Sequence, residues 1–353
     1  MNVDRTTRGA HYRLLTRLAD RLPDDLLGQA LGWTAAGRFI DVVEAVAFAA
    51  TTGGLGVSEP DRALLRAGLA ARDRDVGILH GIDDDTDGVG WWAFAPVSPA
   101  VLNEHGDRVP YCMDLTVPSY DGPGGLDDLD RSLAEAANEV AGLAGLWRAW
   151  RYPASKSLWP APRRHYLAYV EPAGGADSVD AAAQLIDVVI ADAEPTDHEP
   201  LPLVDVFGDT AELTTYQRAV LSASALTWAR RPDGGLRFVE AIAGDDAPER
   251  PLSPPERDVV LDYLERGPRL VTAEQTETDE LDPSKGDVVP GGWRTDGRWV
   301  WPEAVAYYLR VHGVAPEEAF LAETRHHGRP DPVVDPVHMH RALSSLYARH
   351  WSD

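Results

Sequence analysis

The sequence predicts an α+β fold of mixed α/β type, with a helical N-terminal part, a central βαβ unit and a C-terminal Trp hairpin with short helices. Three observations predict it. Apolar residues recur at helical spacing over about the first seventy residues. Two runs rich in β-branched and aromatic residues, Tyr166–Val170 and Leu203–Phe207, flank an apolar helical stretch. An Asp-Gly pair, Asp296-Gly297, lies between aromatic runs, which is a typical hairpin signal.

The N-terminal part is predicted to contain three amphipathic helices. The first includes Leu14–Leu18, the second Phe39–Val46, and the third begins at Ser58, where Ser-Glu-Pro is typical of a helix start. After an acidic turn, Val89–Phe94 is predicted as a short strand because it is rich in aromatic residues. The Ala/Leu-rich stretch Ser132–Trp150 then predicts a long helix.

The central segment is predicted as a βαβ unit. Strand Tyr166–Val170 leads into a helix over Val179–Ala191 and then into strand Leu203–Phe207, and a helical crossover of this kind joins parallel strands. A further helix is expected over Leu213–Arg230. It ends at a Pro-Asp-Gly-Gly run that begins at Pro232.

The C-terminal part combines an acidic loop with short helices. Ser253 opens a helix, and Glu274–Asp287 is predicted as a long exposed loop. After the hairpin, Pro302 suits a first helical position and Gly313 can supply the left-handed residue that ends a helix. The last helix is predicted to begin at Asp335-Pro336.

Three tryptophans of the hairpin, Trp293, Trp299 and Trp301, allow two interpretations. An exposed aromatic platform could bind a sugar, a base or a protein partner. On a strand, however, Trp299 and Trp301 point to the same face, where they would pack on the following helix. Ordinary burial preferences favour this structural role.

A chain of 353 residues is long enough for two domains, and their boundary is predicted near residue 160, where the helix-rich part gives way to the βαβ unit. Residues 1–160 form a helix-rich half and residues 161–353 an α/β half with the Trp hairpin. An alternative is internal duplication, because Leu-x-Trp at Trp33 and Trp228 and the helix starts at Ser58 and Ser253 are both separated by 195 residues.

Composition limits the partners. The formal net charge of −24 repels nucleic-acid phosphate and anionic lipid, so neither nucleic acid nor membrane is an expected partner. The same charge favours a basic protein partner. The single cysteine, Cys112, fits a reducing compartment, and the N-terminus shows no apolar signal core, so a cytoplasmic location is expected.

Catalytic motifs are absent from the sequence. There is no Gly-x-Ser-x-Gly elbow, and Ser155-Lys156-Ser157 lacks the Ser-x-x-Lys spacing. A buried structural thiol is the favoured interpretation of Cys112 over a nucleophile paired with His105 or His165. The histidines near the C-terminus, which could in principle bind a metal ion, are His326, His327, His338 and His340. Prolines separate the first two histidines from the last two, and no cysteine is near. Neither a metal site nor another cofactor is therefore predicted.

One stretch, from about Glu212 to Arg325, carries a resemblance. Its motifs include Tyr216-Gln217-Arg218-Ala219, Leu226-Thr227-Trp228 and the Thr-Asp-Gly turn between the tryptophans, followed by Tyr-Tyr-Leu. It resembles uncharacterised actinobacterial proteins, some of which are similar to proteins of polymorphic-toxin loci. In such loci small acidic proteins act as immunity factors. The resemblance implies a class of function and no catalytic residues.

Acidic charge, the lack of catalytic motifs and this resemblance together predict an immunity- or inhibitor-type binding protein that neutralises a basic protein, such as a nuclease toxin. The predicted partner contacts are Asp83, Asp84, Asp85, Glu277, Asp279 and Glu280. Two alternatives remain at this point. One is a hydrolytic enzyme that uses His105, Cys112, Asp114 or His312 between the halves. The other is a structural subunit of a larger assembly.

Overall fold

The computed structural model describes residues 2–53, 55–82, 92–117, 120, 122–154, 161–172, 178–196, 199–232, 234–244, 248, 251–273, 275–328 and 333–351. The chain forms two compact units, Met1–Arg231 and Pro232–Asp353. Each unit combines helices with β-sheet, so the α+β class predicted from the sequence is confirmed.

The first unit begins with helices and continues with alternating strands and helices. In chain order it contains α1 (Asn2–Arg17), α2 (Asp24–Ala35), α3 (Phe39–Gly53), α4 (Glu59–Ala70), β1 (Trp92–Ala95), α5 (Pro99–His105), β2 (Met113–Asp114), α6 (Asp128–Glu139), β3 (Leu143–Pro153), β4 (Arg163–Val170), α7 (Ser178–Asp192), β5 (Leu203–Phe207), α8 (Thr215–Ser222) and β6 (Ala225–Ala229). The three predicted N-terminal helices are confirmed. A strand was predicted over Val89–Phe94. Residues 92–94 of this prediction lie in β1, and residues 89–91 lie outside the described residues.

One mixed sheet organises this unit. Among the described residues, β2, β6, β3, β4 and β5 lie side by side in that order. The long strand β3 pairs with β4 along one edge. Its other edge is shared, since Gly145–Arg148 pairs with β6 and Trp150–Pro153 pairs with β1.

The predicted βαβ unit is confirmed. β4 and β5 are parallel neighbours, with His165 opposite Leu203 and Tyr169 opposite Phe207, and α7 connects them. This unit belongs to the first compact unit and not to the C-terminal one. The predicted boundary at residue 160 differs from the observed division because it falls between β3 and β4, which pair with each other.

The helix predicted over Ser132–Trp150 is confirmed only as far as Glu139 and is wrong beyond it. α6 ends at Glu139, Gly142 takes a positive φ of 70°, and strand β3 follows. Nine of the eleven β3 residues are buried, on both faces of the strand. A strand covered on both faces lacks the alternation of polar and apolar residues that would have identified it. The helix predicted over Leu213–Arg230 is likewise replaced by α8 and β6.

Helices α1 to α4 pack around a common core. Leu14, Leu31, Val43 and Leu65 from α1 to α4 are almost fully buried, and they belong to one apolar cluster that also includes Leu185 of α7. Removal of this apolar surface from water is the main stabilising contribution. Among the described residues, no helix combines the length and the apolar character needed to cross a bilayer.

The second unit is smaller and has shorter strands. In chain order it contains β7 (Arg237–Phe238), α9 (Pro254–Arg266), β8 (Arg269–Val271), β9 (Thr276–Thr278), β10 (Asp287–Pro290), β11 (Trp293–Thr295), β12 (Trp299–Pro302), α10 (Ala304–His312), α11 (Glu318–His327) and α12 (Pro336–Trp351). Its described strands form one sheet in the order β7, β12, β11, β8 and a separate pair of β9 with β10. The loop predicted over Glu274–Asp287 therefore contains strand β9.

The Trp hairpin is confirmed. β11 and β12 are antiparallel, with Thr295 opposite Val300, and Gly297 in the turn has a φ of 88°. Gly313 ends α10 in the left-handed conformation, as predicted. Pro302 is not a first helical residue, because it lies at the end of β12 and α10 begins at Ala304.

The internal duplication rests on two pairs of matching sequence segments, and only one of these pairs has the same secondary structure in both copies. Ser58 and Ser253 each precede a helix start, at α4 and α9. Trp33, however, lies in helix α2, while its counterpart Trp228 lies in strand β6. This Leu-x-Trp match is therefore a similarity of sequence between different structures.

Candidate functional site

An exposed acidic element of the second unit is the hairpin of β9 and β10, residues 276–290, here called the acidic hairpin. It contains five carboxylate residues and one lysine. All three β9 residues are exposed, and among the described residues β9 pairs only with β10. On the opposite side Val289 is buried against α10 and anchors the hairpin to the unit.

A buried carboxylate holds the turn of the acidic hairpin. Asp279 is fully buried, and its Oδ2 accepts hydrogen bonds from the Tyr307 hydroxyl at 2.9 Å and from His312 Nε2 at 2.7 Å. Its Oδ1 accepts the backbone N–H groups of Leu281 and Asp282, both at 3.0 Å. These bonds tie the hairpin to α10, and a carboxylate with such partners stabilises the loop conformation.

The charge state of this contact follows from its hydrogen bonds. Burial by itself raises the pKa of Asp279, but the bonds from His312, Tyr307 and the backbone outweigh it and hold the pKa at about 2. Burial and the same carboxylate raise the pKa of Tyr307 to about 12. At neutral pH Asp279 is therefore an ionised acceptor and Tyr307 a protonated donor.

The predicted partner contacts have different positions in the structure. Glu277 and Glu280 are exposed on the acidic hairpin, on either side of Asp279. Asp279 itself cannot contact a partner because it is buried, so its predicted role as a contact is corrected to that of a positioning residue. Asp83, Asp84 and Asp85 lie outside the described residues.

The Asp279 contact predicts an acid-sensitive second unit. Its pKa is lower in the folded protein than the ordinary value of 3.8, so the stabilisation is complete above pH 3.8 and is lost as the pH falls toward about 2. We expect Asp279→Asn to remove this part of the pH dependence of unfolding. Urea unfolding between about pH 5 and pH 2 measures it.

The matched control for this measurement is Asp258→Asn, since Asp258 is an exposed carboxylate of α9. Its unfolding curve should keep the slope of the wild-type protein in the same pH range. An Asp279→Asn variant with the wild-type slope would contradict the stabilising role of the buried carboxylate.

An exposed aromatic platform is not present at the Trp hairpin. Trp301 is fully buried and Trp299 is 3% exposed, while Trp293 is half-buried. Trp299 and Trp301 contact Phe320 of α11, with ring centroids 5.4 and 5.5 Å apart. The platform interpretation of these residues is corrected: Trp299 and Trp301 form the core of the second unit, as the alternative interpretation predicted.

The residues of the hydrolytic alternative do not form an activated nucleophile. Burial, together with the nearby Asp114 carboxylate, raises the pKa of Cys112 well above its ordinary value, whereas attack requires a thiolate. Asp114 accepts hydrogen bonds from the N–H and the hydroxyl of Thr116. His312 is bound to Asp279, and His105 lies at the end of α5.

Two of the C-terminal histidines, His338 and His340, lie on α12. His338 Nδ1 bonds to Asp335, whose carboxylate also caps α12 through the N–H groups of Val337 and His338. His340 is buried on the same helix. Within the described ranges, no group of three His, Cys, Asp or Glu residues is placed to hold a metal ion.

Sequence reasoning missed the role of the residues that position the acidic hairpin, and it considered His312 only for the hydrolytic alternative. Tyr307, Tyr308 and His312 lie on α10, and Tyr308 accepts a hydrogen bond from the backbone N–H of Glu280 at 3.2 Å. A local signal was available, because Asp279 is followed by Glu-Leu-Asp-Pro-Ser, a composition typical of a turn in which the carboxylate binds its own backbone. The long-range partners had no such signal.

Comparison with protein-family models, with curated proteins and with solved structures finds no match to this chain. The function is therefore inferred from the geometry and charge of the chain itself.

Proposed function

We propose that this protein is an acidic binding protein of the immunity or inhibitor type, which neutralises a basic protein partner. The observation that carries the proposal is the acidic hairpin: the buried Asp279 fixes its turn, while Glu277 and Glu280 remain exposed beside it. The formal net charge of −24 and the resemblance to proteins of polymorphic-toxin loci support the same class of function.

Rigidity gives the exposed carboxylates an advantage in binding. A loop already ordered in the free protein loses less conformational entropy on association than a flexible one. Here the backbone of residues 279–282 is held by hydrogen bonds to Asp279 and Tyr308. The two glutamates are therefore presented to a partner without a separate ordering step.

The acidic hairpin also offers apolar and backbone contacts. Leu281 and Val288 are exposed by 47% and 41%, next to the carboxylates. The outer edge of β9 has no strand neighbour among the described residues and can accept a strand of a partner. Charge would direct the encounter, and these contacts would slow dissociation.

The test uses basic proteins encoded next to this gene as probes and measures association rates by stopped flow at several salt concentrations. We expect Glu277→Lys/Glu280→Lys to lower the association rate at low salt by about tenfold or more, because two attractive charges become repulsive. The effect should decrease as salt screens the charges.

A matched control is Glu135→Lys/Glu139→Lys, which changes the charge equally at two exposed residues of α6 in the first unit. It should change the rate less than the hairpin variant. Equal losses for both variants would show that net charge alone acts and would remove the hairpin from the proposal. Absence of any complex at low salt would contradict the proposed function.

A further inference from the structure

Three basic side chains lie on one face of the sheet in the first unit. Arg151 of β3 is directly opposite Arg163 of β4, and His165 follows two residues later on the same face. The exposed fractions of these residues are 1%, 3% and 0%. Tyr216 of α8 covers them, with its ring 5.7 Å from that of His165. We call these four residues the basic cluster.

The basic cluster contains several buried polar atoms without a partner. Within the part of the chain that the structure describes, both ring nitrogens of His165 and the Nε and Nη1 atoms of Arg163 have no hydrogen-bond partner. Arg151 Nε also lacks a partner, and the Tyr216 hydroxyl lies beside the Arg151 guanidinium group without satisfying hydrogen-bond geometry. Buried polar groups in native proteins are almost always satisfied, so such a concentration indicates a bound group.

The charge in the basic cluster is also unbalanced. Arg151 donates from Nη2 to Asp24 at 2.6 Å and from Nη1 to the carbonyl of Ala19. Arg163 makes no ion pair with a described carboxylate, although it is buried beside Arg151. Burial and then the Arg151 charge lower its pKa. Asp24, the ion-pair partner of Arg151, is also the carboxylate whose charge acts on Arg163.

The opposite face of the same sheet shows how a structural arginine is satisfied. Arg148 forms an ion pair with Asp130 and donates to the carbonyls of Gly124, Gly125 and Pro96. Asp130 also accepts the Tyr166 hydroxyl at 2.7 Å. A buried arginine that serves the fold therefore has a carboxylate of its own, whereas Arg163 does not.

We propose that the basic cluster is a binding site for a small oxyanion, a carboxylate or phosphate group, held by Arg163, His165 and Tyr216. The guanidinium group presents paired N–H donors that match the oxygens of such groups. An imidazole N–H and a phenol would donate further hydrogen bonds. One negative charge would balance the second arginine, and the unpartnered donors would be satisfied.

The protonation state of His165 agrees with this chemistry. Burial, followed by the charges of Arg151 and Arg163, lowers the pKa of His165 to about 3. The ring is neutral at physiological pH and carries one N–H donor. An anion bound beside it would oppose the two arginines and raise this pKa.

This site is separate from the acidic hairpin, because the basic cluster lies in the first unit and the hairpin in the second. The proposed anion site and the proposed binding of a basic partner can therefore be tested independently. A protein that binds a basic partner could still lack an anion site, and the reverse also holds.

The test measures thermal unfolding of the full chain in chloride, acetate, sulfate and inorganic phosphate at constant ionic strength. We expect a saturable rise in the Tm of the first unit with at least one oxyanion, of about 5–10 °C at 100 times its Kd. Phosphate and sulfate also stabilise proteins generally, but that effect does not saturate. The response to acetate against phosphate distinguishes a carboxylate from a phosphate ligand.

Two variants locate the effect. Arg163→Met keeps the apolar volume of the side chain and removes the charge, so it should abolish the saturable response. Arg237→Gln changes an exposed arginine of the second unit and should retain it. A saturable response that survives in Arg163→Met would overturn the assignment of the site.

A measurement on the wild-type protein covers the case in which Arg163→Met fails to fold. The imidazole nitrogen shifts of His165 in NMR spectra should change saturably on addition of the anion that raises the Tm. Unchanged shifts with acetate, sulfate and phosphate would overturn the proposal.

Discussion

Replacement of Trp301 by alanine is expected to lower the free energy of unfolding of the second unit by about 3–5 kcal/mol. Trp301 is fully buried, and its Nε1 donates to the carbonyl of Leu264 at 3.2 Å. Its ring contacts Phe320 and Tyr263. Truncation would remove these contacts and leave a cavity that the surrounding helices cannot fully close.

Urea unfolding monitored by circular dichroism measures this effect, and Trp293→Ala provides the control. Trp293 is in the same hairpin but is half-buried, so we expect a smaller loss. Equal losses for the two variants would show that Trp301 does not have the central packing role that the structure gives it. The comparison also distinguishes core packing from a general requirement for aromatic residues in the hairpin.

Replacement of Asp130 by asparagine, or of Arg148 by methionine, is expected to cost about 3–5 kcal/mol of stability in the first unit. The two side chains form a buried ion pair, and each loss leaves the other charge without its partner. Burial raises the pKa of Asp130, although Arg148 opposes this shift. The ionised carboxylate is therefore costly to bury and depends on its partner.

A double-mutant cycle tests this dependence. The Asp130→Asn/Arg148→Met variant removes both charges, so we expect it to lose less stability than the sum of the single variants by about 2 kcal/mol or more. Part of the Asp130 effect will persist, because its carboxylate also accepts the backbone N–H of Asp127 at the start of α6. Simple additivity of the two losses would contradict a coupled buried pair.

Local signals in the sequence predicted much of the fold. The βαβ unit was found because Leu203–Phe207 is a short apolar run and α7 has clear helical periodicity. Gly313 and Asp335 were recognised as helix boundaries by residue types that favour particular backbone conformations. β3 and β6 were misassigned as helices because their burial on both faces removes the alternating pattern that identifies a half-exposed strand.

The residues of the two candidate sites were predicted less completely. Glu277 and Glu280 are exposed, as expected for charged residues in a polar loop. Asp279 has the same chemistry, but its burial depends on Tyr307 and His312, which lie 28 and 33 residues away. Arg163 was missed, and His165 was considered only as a base for Cys112. Consecutive basic residues are typical of a solvated surface, and the burial of these two arises because α8 covers the strand.

The shared edge of β3 has a consequence for synthesis of the chain. Its two neighbours on that edge, β1 and β6, come from residues 92–95 and 225–229, so one precedes β3 and the other is translated well after it. During translation this edge stays incomplete until β6 has left the ribosome, only a few residues before the first unit ends at Arg231. Pairing over such sequence distances is slow. The nascent chain therefore carries an unprotected strand edge from the synthesis of β3, which ends at Pro153, until that of β6, which ends at Ala229. This interval is the time of greatest exposure to misassembly.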